Sequence, residues 1–592
     1  MVETVTGQTA RSGNDTALNL GLGLIAALGV LAALMRAAGT VAAWITGTHQ
    51  PARNIGAGLA VLAHPTRPAS ALGAPGLSPV AYWAVVAAML VAVALIAWLT
   101  VRLVRSHGDS RDDPRRRAGL ATTAQVRKLA SGRALRHRAA TLRPSLHHPA
   151  PSEIGYLLGH AKGQQVWASV EDSMLLIGPP RSGKGLHVVI NAILDAPGAV
   201  LTTSTRPDNL TVTLTARQKV GPVAVFDPQH LAPGLPAGLR WSPVRGCEDP
   251  LTAMIRATGL AAGTGLGGGG VEGGGFWEGK TAAAIQALLH AAALDGRDAR
   301  TLYQWALNPT AATDAVHVLQ SDGRAAEGWA DSLGSMIDSD PRTRDSIWQG
   351  VGLAFNALAD PRVLDAVTPR EGEGFNPDTF LAEHGTLYLL ATGAGAGASA
   401  ALVSAFIEDL TETARRHAAR SPGARLDPPL LLALDEIASL APLPSLPTLM
   451  SDGGGTGITT LTVLQSMAQA RQKWGENQAA AISDTAIVKI ILGGESNSRD
   501  LQDLSTLIGE RDETTDSTTT DATGGRSHQR SIRRVPILPP DALRTMPFGL
   551  GTILLRAAPP IVTDLRPWTG RKDADQLTAQ RRQIEQTLRA AA

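Results

Sequence analysis

The stretch Leu175-Leu176-Ile177-Gly178-Pro179-Pro180-Arg181-Ser182-Gly183-Lys184-Gly185 joins a short apolar run to a loop rich in glycine and proline. Gly178 and the pair Gly183-Lys184 stand at the spacing of the Walker A motif, in which backbone N–H groups surround phosphates. Glycines allow the dihedral angles that such a loop needs between a strand and a helix. The pattern predicts a phosphate-binding loop over residues 178–185, with Lys184 as the cation that reaches the β- and γ-phosphates.

Position 185 departs from the usual form of this motif. Gly185 follows the lysine where a Ser or Thr hydroxyl commonly contacts Mg²⁺. Inside the loop, Arg181 is a further candidate for phosphate contact, although its side chain could equally face solvent. A glycine-rich turn in front of a helix is the simpler alternative for the whole stretch, so a second motif is needed to decide.

The second motif is Pro428-Pro429-Leu430-Leu431-Leu432-Ala433-Leu434-Asp435-Glu436, an apolar run that ends in two carboxylates. Buried parallel strands are typically continuous apolar runs, and ligands gather at their carboxyl ends. We expect Asp435 to hold Mg²⁺ and Glu436 to polarise the attacking water. A strand that ends in solvated acids is the alternative, but both motifs together favour a P-loop domain that hydrolyses a nucleotide.

Other apolar runs indicate the rest of the fold. Those that predict strands lie at residues 199–204, 222–227, 386–391, 459–464, 487–492 and 551–556. Helical patterns lie between several of them, so we expect an α/β fold, a P-loop NTPase with a RecA-like, doubly wound parallel sheet. Residues 249–378 show only helical patterns, which predicts a separate all-helical insertion domain.

Two uncharged apolar stretches near the N-terminus predict a membrane hairpin. Residues 17–35 and 80–101 contain 19 and 22 residues without a charge, and a helix needs roughly 20 apolar residues to span a bilayer. A signal peptide is the alternative for the first stretch, but it lacks a basic cluster before it and a second stretch follows. The single cysteine, Cys247, excludes an internal disulfide and suits a reducing compartment.

Basic residues predict the orientation of this hairpin. The connecting segment 46–79 holds only Arg53 and Arg67, whereas residues 102–143 hold twelve Lys and Arg residues. The positive-inside rule therefore places both the N-terminus and the large C-terminal part in the cytoplasm, with the protein in the plasma membrane. The basic segment favours a role at anionic lipid headgroups, with nucleic acid as the alternative ligand. The net charge of +2 by itself favours no partner.

These features divide the 592-residue chain, which is too long for one domain. The predicted parts are an N-terminal cytoplasmic tail (1–16), a transmembrane hairpin with an extracytoplasmic loop (17–101), a basic juxtamembrane segment (102–150), the first part of the P-loop domain (151–248), the helical insertion (249–378), the second part of the P-loop domain (379–568) with a mobile loop at 512–531, and a charged tail (569–592), which is either a solvated helix or disordered.

This arrangement resembles the type IV secretion coupling proteins, the TraG/TraD-type conjugation ATPases, over nearly the whole chain. The segments that carry the resemblance are 178–185, 434–436 with 443–446, 457–466, 484–493, 538–543 and 559–561. A glycine after the P-loop lysine is common in that family. The resemblance implies ATP and Mg²⁺ as cofactors, with Lys184, Glu436 and Gln465 as catalytic residues. Gln465 would contact the γ-phosphate or its water, although a polar residue capping a strand is the simpler interpretation.

The resemblance also implies a homo-hexameric ring around single-stranded DNA, with a relaxase and the secretion channel proteins as partners. One feature departs from the family: relatives often carry an arginine in the loop before the Gln465 strand, but residues 451–457 contain none. Arg471, Arg499 and Arg511 are candidates for a replacement that acts on a neighbour's nucleotide.

We therefore expect a membrane-anchored ATPase that couples a relaxase–DNA or protein substrate to a type IV secretion channel in conjugative transfer. Two alternatives stay open. One is a non-hydrolysing, nucleotide-dependent docking receptor, which Gly185 and the missing arginine would suit. The other is a membrane-anchored double-stranded DNA translocase, which usually carries a winged-helix module at the C-terminus where this chain has a short polar stretch.

Overall fold

The computed structural model describes residues 12–52, 54–229, 231–235, 239–267, 273–391, 396–520 and 526–591. The chain divides into two compact units, Met1–Asp113 and Pro114–Ala592.

The N-terminal unit consists of helices. They are α1 (Ser12–Thr46), α2 (Ala57–Ala63), α3 (Pro68–Leu72) and α4 (Pro79–Asp112). Among the residues that the structure describes, two windows are long and apolar enough to cross a membrane, Leu28–Thr46 in α1 and Pro79–Thr100 in α4. Residues 91–100 are exposed on every side of α4 although none of them is charged, which suits lipid and not water as the surrounding medium.

Helix α1 covers the predicted span at 17–35 and continues beyond it to Thr46. Arg36 falls inside it, and its guanidinium donates hydrogen bonds to Pro51 O and Thr40 Oγ1, both at 2.6 Å. These bonds give the charged group partners within the unit, so the helix continues past the arginine that ended the predicted span. The connection between the spans is also folded, because Met35, Val61, Leu72 and Tyr82 share one small core.

The second unit is built on a large sheet. The strands of this unit are β1 (Gly155–Ala161), β2 (Gln164–Ser169), β3 (Met174–Ile177), β4 (Val200–Ser204), β5 (Val223–Phe226), β6 (Thr386–Leu390), β7 (Leu430–Leu434), β8 (Ile458–Leu464), β9 (Val488–Leu492), β10 (Glu510–Thr520), β11 (Arg526–Pro536), β12 (Leu550–Leu555) and β13 (Ile561–Leu565). Among the described residues, eleven of these strands form one sheet in the order β2-β1-β13-β12-β9-β3-β8-β7-β4-β6-β5, and β10 pairs with β11 alone.

Neighbouring strands pair in parallel from β9 to β5 and antiparallel from β2 to β9. The parallel part matches the predicted α/β fold, and its strands are buried on both faces, as their apolar runs required. The antiparallel edge was only partly predicted. Strand β2 begins with two glutamines, and the turn that joins it to β1 is formed by Lys162 and Gly163, both with positive φ, a hairpin turn with a weak sequence signal.

Helices cover the sheet and form the insertion. They are α5 (Thr123–Leu129), α6 (Gly132–Arg136), α7 (Ala139–Leu142), α8 (Pro151–Ile154), α9 (Ile190–Asp195), α10 (Asp208–Arg217), α11 (Pro250–Ala262), α12 (Gly274–Leu294), α13 (Ala299–Leu307), α14 (Thr313–Ser321), α15 (Trp329–Ile337), α16 (Pro341–Phe355), α17 (Pro361–Ala366), α18 (Pro377–Ala382), α19 (Ala396–Arg420), α20 (Ile437–Leu440), α21 (Leu446–Asp452), α22 (Met467–Asp484), α23 (Ser498–Ile508), α24 (Pro540–Arg544) and α25 (Ala574–Ala591).

The insertion helices α11–α18 lie between β5 and β6, and the last of them ends at Ala382, four residues beyond the predicted limit at 378. They do not have a core of their own. Leu260, Leu288 and Val351 from the insertion share one hydrophobic core with Phe226 and Leu389 of the sheet. The reason is that α11 packs closely on α19, which follows β6, so one apolar layer continues from the sheet into the insertion.

Part of the predicted juxtamembrane segment is folded into the second unit. Val126 and Leu135 of α5 and α6 are buried in the core beneath β1 and β2. Two of its basic residues form ion pairs there: Arg143 with Asp427 at 2.7 Å, and Arg138 with Glu171 at 2.6 Å. These arginines therefore stabilise the fold and are engaged within the protein.

One segment predicted as mobile has regular structure, and one predicted as either a solvated helix or disordered is a helix. Residues 512–531, predicted as a mobile loop, belong mostly to the antiparallel strands β10 and β11, whose connecting tip at 521–525 lies outside the described residues. The segment contains no large apolar residue, but its threonines favour extended backbone. The charged C-terminal segment forms helix α25, which packs on α10 with Leu577 and Ile584 buried.

Candidate functional site

The loop after β3 has the geometry that the first motif predicted. Gly178 donates its backbone N–H to Leu464 O of the neighbouring strand at 3.1 Å, and the loop turns back through positive φ angles at Arg181 (64°) and Gly183 (90°). The helix that follows begins with one π-helical turn, Gly185–Val189, before α9. The N-terminus of this helix faces the loop, which is the usual arrangement for binding phosphate.

Lys184 is held inside this loop. Its Nζ donates to Gly178 O at 2.7 Å and to Pro179 O at 3.0 Å. Burial lowers the pKa of Lys184, and the carboxylates of Asp435 and Glu436 oppose that shift. Lys184 Nζ is therefore hydrogen-bonded to neutral carbonyl oxygens, and a phosphate would compete with these acceptors for its charge.

The two carboxylates lie where β7 ends. Asp435 accepts a hydrogen bond from Asn209 Nδ2 at 3.2 Å, and burial raises the pKa of Asp435 to about 6. Glu436 has a positive φ of 52°, and its Oε2 accepts a hydrogen bond from Thr205 Oγ1. The sequence did not single out Asn209 or Thr205, because an isolated polar residue after a strand carries no distinctive pattern.

Gln465 directly follows β8, the strand that lies between β3 and β7 in the sheet. Its backbone N–H donates to Gln469 Oε1 at 3.2 Å, and the residue is half-buried. The sheet order thus places Gln465 between the loop and the acidic pair.

A cleft of about 640 Å³ unites most of these residues. Residues 180–185 form one side, while Thr205, Asn209, Asp435 and Glu436 form another. The cleft also has an apolar part with Leu186, Ile190 and Val212, and it is closed by Trp568, Thr569 and Arg581 from the C-terminal segment. The sequence did not predict this last contribution.

The residues present can accommodate Mg²⁺. Mg²⁺ usually binds through one or two carboxylates together with phosphate oxygens and water, and Asp435 meets this requirement beside Lys184. The described residues contain no cluster of three or more His, Cys, Asp or Glu side chains, so phosphate would supply the remaining ligands. A Cβ atom added to Gly185 would meet only Asn209 Oδ1, at 3.9 Å, so space does not require the glycine.

The candidate arginines are engaged within the chain. Arg471 pairs with Asp500 at 2.6 Å, Arg499 with Glu476 at 2.6 Å, and Arg511 with Glu513 at 2.8 Å. Arg181 is exposed and lines the cleft. It therefore lies closer to the phosphate position than the three arginines proposed to act on a neighbour.

Comparisons with known proteins agree with the sequence motifs. Residues 429–548 match the family model described as the TraM recognition site of TraD and TraG. No curated protein matches the chain. The matched residues run from β7, which directly precedes Asp435, to the residues after α24.

Solved structures show the same fold. The unbound bacterial conjugative coupling protein TrwBdeltaN70 matches with a TM-score of 0.54 and 16% identity, over 74% of this chain and 92% of that one. The plasmid coupling protein TrwB with the GTP analogue GDPNP matches at 0.50 and 15%, over 74% and 93%. The same protein with ADP and Mg²⁺ matches at 0.49 and 15%, over 74% and 93%. The family match and the shared fold confirm the resemblance of this chain to the TraG/TraD coupling proteins.

Proposed function

We propose that this protein is an ATPase that drives the transfer of DNA or protein through a type IV secretion channel. The observation that carries the proposal is that Lys184, Asp435 and Glu436 meet in one cleft beside a phosphate-binding loop. The TrwB structure with GDPNP, a nucleoside triphosphate analogue, supports a triphosphate as the ligand of this cleft.

Each residue has a distinct task in this proposal. The backbone N–H groups of residues 178–185 and the Lys184 ammonium bind the phosphates. Asp435 and the phosphates would hold Mg²⁺, which supplies charge neutralisation when bound. Glu436 accepts a proton from the attacking water, and Thr205 holds its carboxylate in place through the hydrogen bond to Oε2. Gln465, at the end of the neighbouring strand, orients that water.

The proposed coupling function involves the membrane helices, the assembly of several copies and partner proteins. In this proposal the two apolar helices anchor the chain in the plasma membrane, with the N-terminus and the second unit in the cytoplasm. Six copies form a ring that moves single-stranded DNA delivered by a relaxase. The family model over residues 429–548 is named for the recognition of TraM, which supports a partner protein at this segment.

A docking receptor that binds nucleotide without hydrolysing it is the second candidate. It is favoured by the ion pairs of Arg471, Arg499 and Arg511 within their own chain. Such arginines would need to leave their partners before they reached a neighbouring nucleotide. Both candidates require nucleotide binding, and turnover separates them.

The test is ATP hydrolysis by the full-length protein in lipid nanodiscs, with and without single-stranded DNA. We expect DNA-stimulated turnover that falls by at least about a hundredfold in Glu436→Gln and in Lys184→Ala, since each removes a group required in the transition state. The exposed residue Glu371 provides a matched control, and Glu371→Gln should hydrolyse ATP normally. Binding of ATP without turnover in the unchanged protein would exclude the ATPase and favour the receptor.

A further inference from the structure

The cleft has two chemically different halves. Its phosphate half consists of the loop, Lys184 and the two carboxylates, whereas Leu186, Ile190 and Val212 give the other half an apolar surface. Trp568 packs on this apolar half and is 5% exposed, in a small cluster with Ile190, Val212 and Leu577. The C-terminal segment therefore completes a surface that the P-loop helix and α10 begin.

Charged contacts hold this segment against the P-loop helix. Asp195, the last residue of α9, pairs with Arg566 at 3.1 Å and with Arg571 at 2.7 Å. Asn191 Nδ2 of the same helix donates to Arg566 O at 2.7 Å. The three contacts flank Trp568 on both sides along the chain, so the position of Trp568 is coupled to the helix that begins at the phosphate loop.

Two more side chains of the segment reach the cleft. Thr569 is exposed in the cleft wall, and Arg581 projects from the second turn of α25. The Arg581 guanidinium pairs with Glu585 at 2.7 Å and keeps 43% of its side chain exposed. The guanidinium can thus donate hydrogen bonds to a ligand while it remains paired with Glu585.

We propose that the segment from Trp568 to Arg581 forms the wall against which the base and ribose of a nucleoside triphosphate lie. This inference rests on the proposed nucleotide binding and adds the base half of the site. When the phosphates occupy the loop, the base and ribose extend into the remaining space of the cleft, where Trp568 and Ile190 offer apolar surface and Thr569 and Arg581 offer polar groups. The C-terminal helix is then part of the nucleotide site.

The experiment compares ATP with tripolyphosphate, which carries the phosphates but neither base nor ribose. Binding of both ligands is measured by calorimetry on the full-length protein in nanodiscs, with the Glu436→Gln change present throughout to prevent turnover. The variants are Arg581→Ala, which removes the cation, and Thr569→Tyr, which fills the base half. Arg582→Ala is the matched control, because Arg582 is the exposed neighbour on the same helix and lies outside the cleft.

We expect Arg581→Ala and Thr569→Tyr to weaken ATP binding about tenfold, the loss of one good contact, with tripolyphosphate binding unchanged. Arg582→Ala should bind both ligands like the parent protein. The proposal is overturned if both variants bind ATP within twofold of the parent, or if ATP and tripolyphosphate weaken together. A parent protein that binds neither ligand would instead refute the proposed nucleotide binding, and Lys184→Ala, which should weaken both ligands, checks that step independently.

Discussion

Asn209 connects helix α10 to the acidic end of β7. Its amide donates to Asp435 Oδ2, and its Oδ1 lies 3.9 Å from the position that a Cβ atom at residue 185 would occupy. Burial has the larger effect and raises the pKa of Asp435, and the hydrogen bond from Asn209 opposes part of that rise. Asn209 therefore favours the ionised carboxylate that Mg²⁺ needs.

We expect Asn209→Ala to weaken the Mg²⁺-dependent part of nucleotide binding about tenfold, as loss of a group that orients a metal ligand usually does. The measurement is ADP affinity with Mg²⁺ and with EDTA in its place, and only the first should change. Because a side chain at 185 has room, Gly185→Ser in the Asn209→Ala background should restore part of the affinity. Equal losses with and without Mg²⁺ would show that Asn209 acts on the fold alone.

Glu408, which does not line the cleft, should make the stability of the protein depend on pH. Burial raises the pKa of this carboxyl in α19, although Ser445 N–H donates to its Oε1 at 3.1 Å and Arg415 opposes the shift. A raised pKa in the folded state means that the stabilising contribution is complete at low pH. It is lost as the pH rises from the ordinary glutamate value of about 4.3 through the folded value.

Glu408→Gln should therefore become more stable than the unchanged protein as the pH rises, since glutamine keeps an acceptor for Ser445 without a charge. The two thermal midpoints should be similar near pH 4 and diverge towards pH 8. Glu383→Gln, at an exposed glutamate just after α18 that does not affect the pKa of Glu408, controls for the loss of a carboxylate. A difference in midpoint that stays constant with pH would contradict the assignment.

At the scale of the elements, the close contact between α11 and α19 depends on a glycine, Gly263, whose lack of a side chain leaves room for the backbone of α19. A Cβ atom at Gly263, just after α11, would lie 2.3 Å from Ala401 Cα and 2.6 Å from Ala401 N. Both are backbone atoms, so relief requires the two segments to separate. We expect Gly263→Ala to destabilise the second unit by about 1–3 kcal/mol, measured by chemical denaturation.

Gly279 is the matched control for this change. It lies inside α12, and an added Cβ atom would meet nothing within 4 Å. Gly279→Ala should stabilise the protein by about 0.5–1 kcal/mol, because alanine loses less backbone entropy in a helix. The two substitutions should thus have opposite signs, and a stabilising Gly263→Ala would show that α11 and α19 are less closely packed than described.

The sequence predicted those elements whose residue pattern has one physical interpretation. Strands β3 and β7 are apolar on both faces and end in chemically distinct residues, so both the sheet and the residues at its edge could be predicted. Strands β10 and β11 carry no apolar alternation, and backbone pairing forms them. Helix α25 has few apolar residues, yet Leu577 and Ile584 suffice to dock it on α10. The packing of α25 on α10, and the position of Trp568 at the cleft, depend on tertiary contacts that the local sequence pattern does not predict.

At the scale of the whole molecule, each unit has its own hydrophobic core. The core of the N-terminal unit consists of residues between Met35 and Val86, whereas the cores of the second unit begin at Ala121. A protein that begins at Pro114 retains α5 to α7 and the complete sheet. We expect it to fold without the membrane helices and to bind ATP with the affinity of the full-length protein in nanodiscs.

A protein that begins at Pro151 is the control that locates the boundary. It loses Val126, Leu135 and Leu142, each of which is less than 7% exposed in the core beneath β1 and β2. Burial of each such side chain contributes about 1.5–3 kcal/mol, so the loss is comparable with the whole stability of a typical domain. The Pro114 protein should show a cooperative thermal transition and the Pro151 protein should lack one or melt much lower. Equal melting of both would mean that residues 114–150 contribute little to the stability of the second unit.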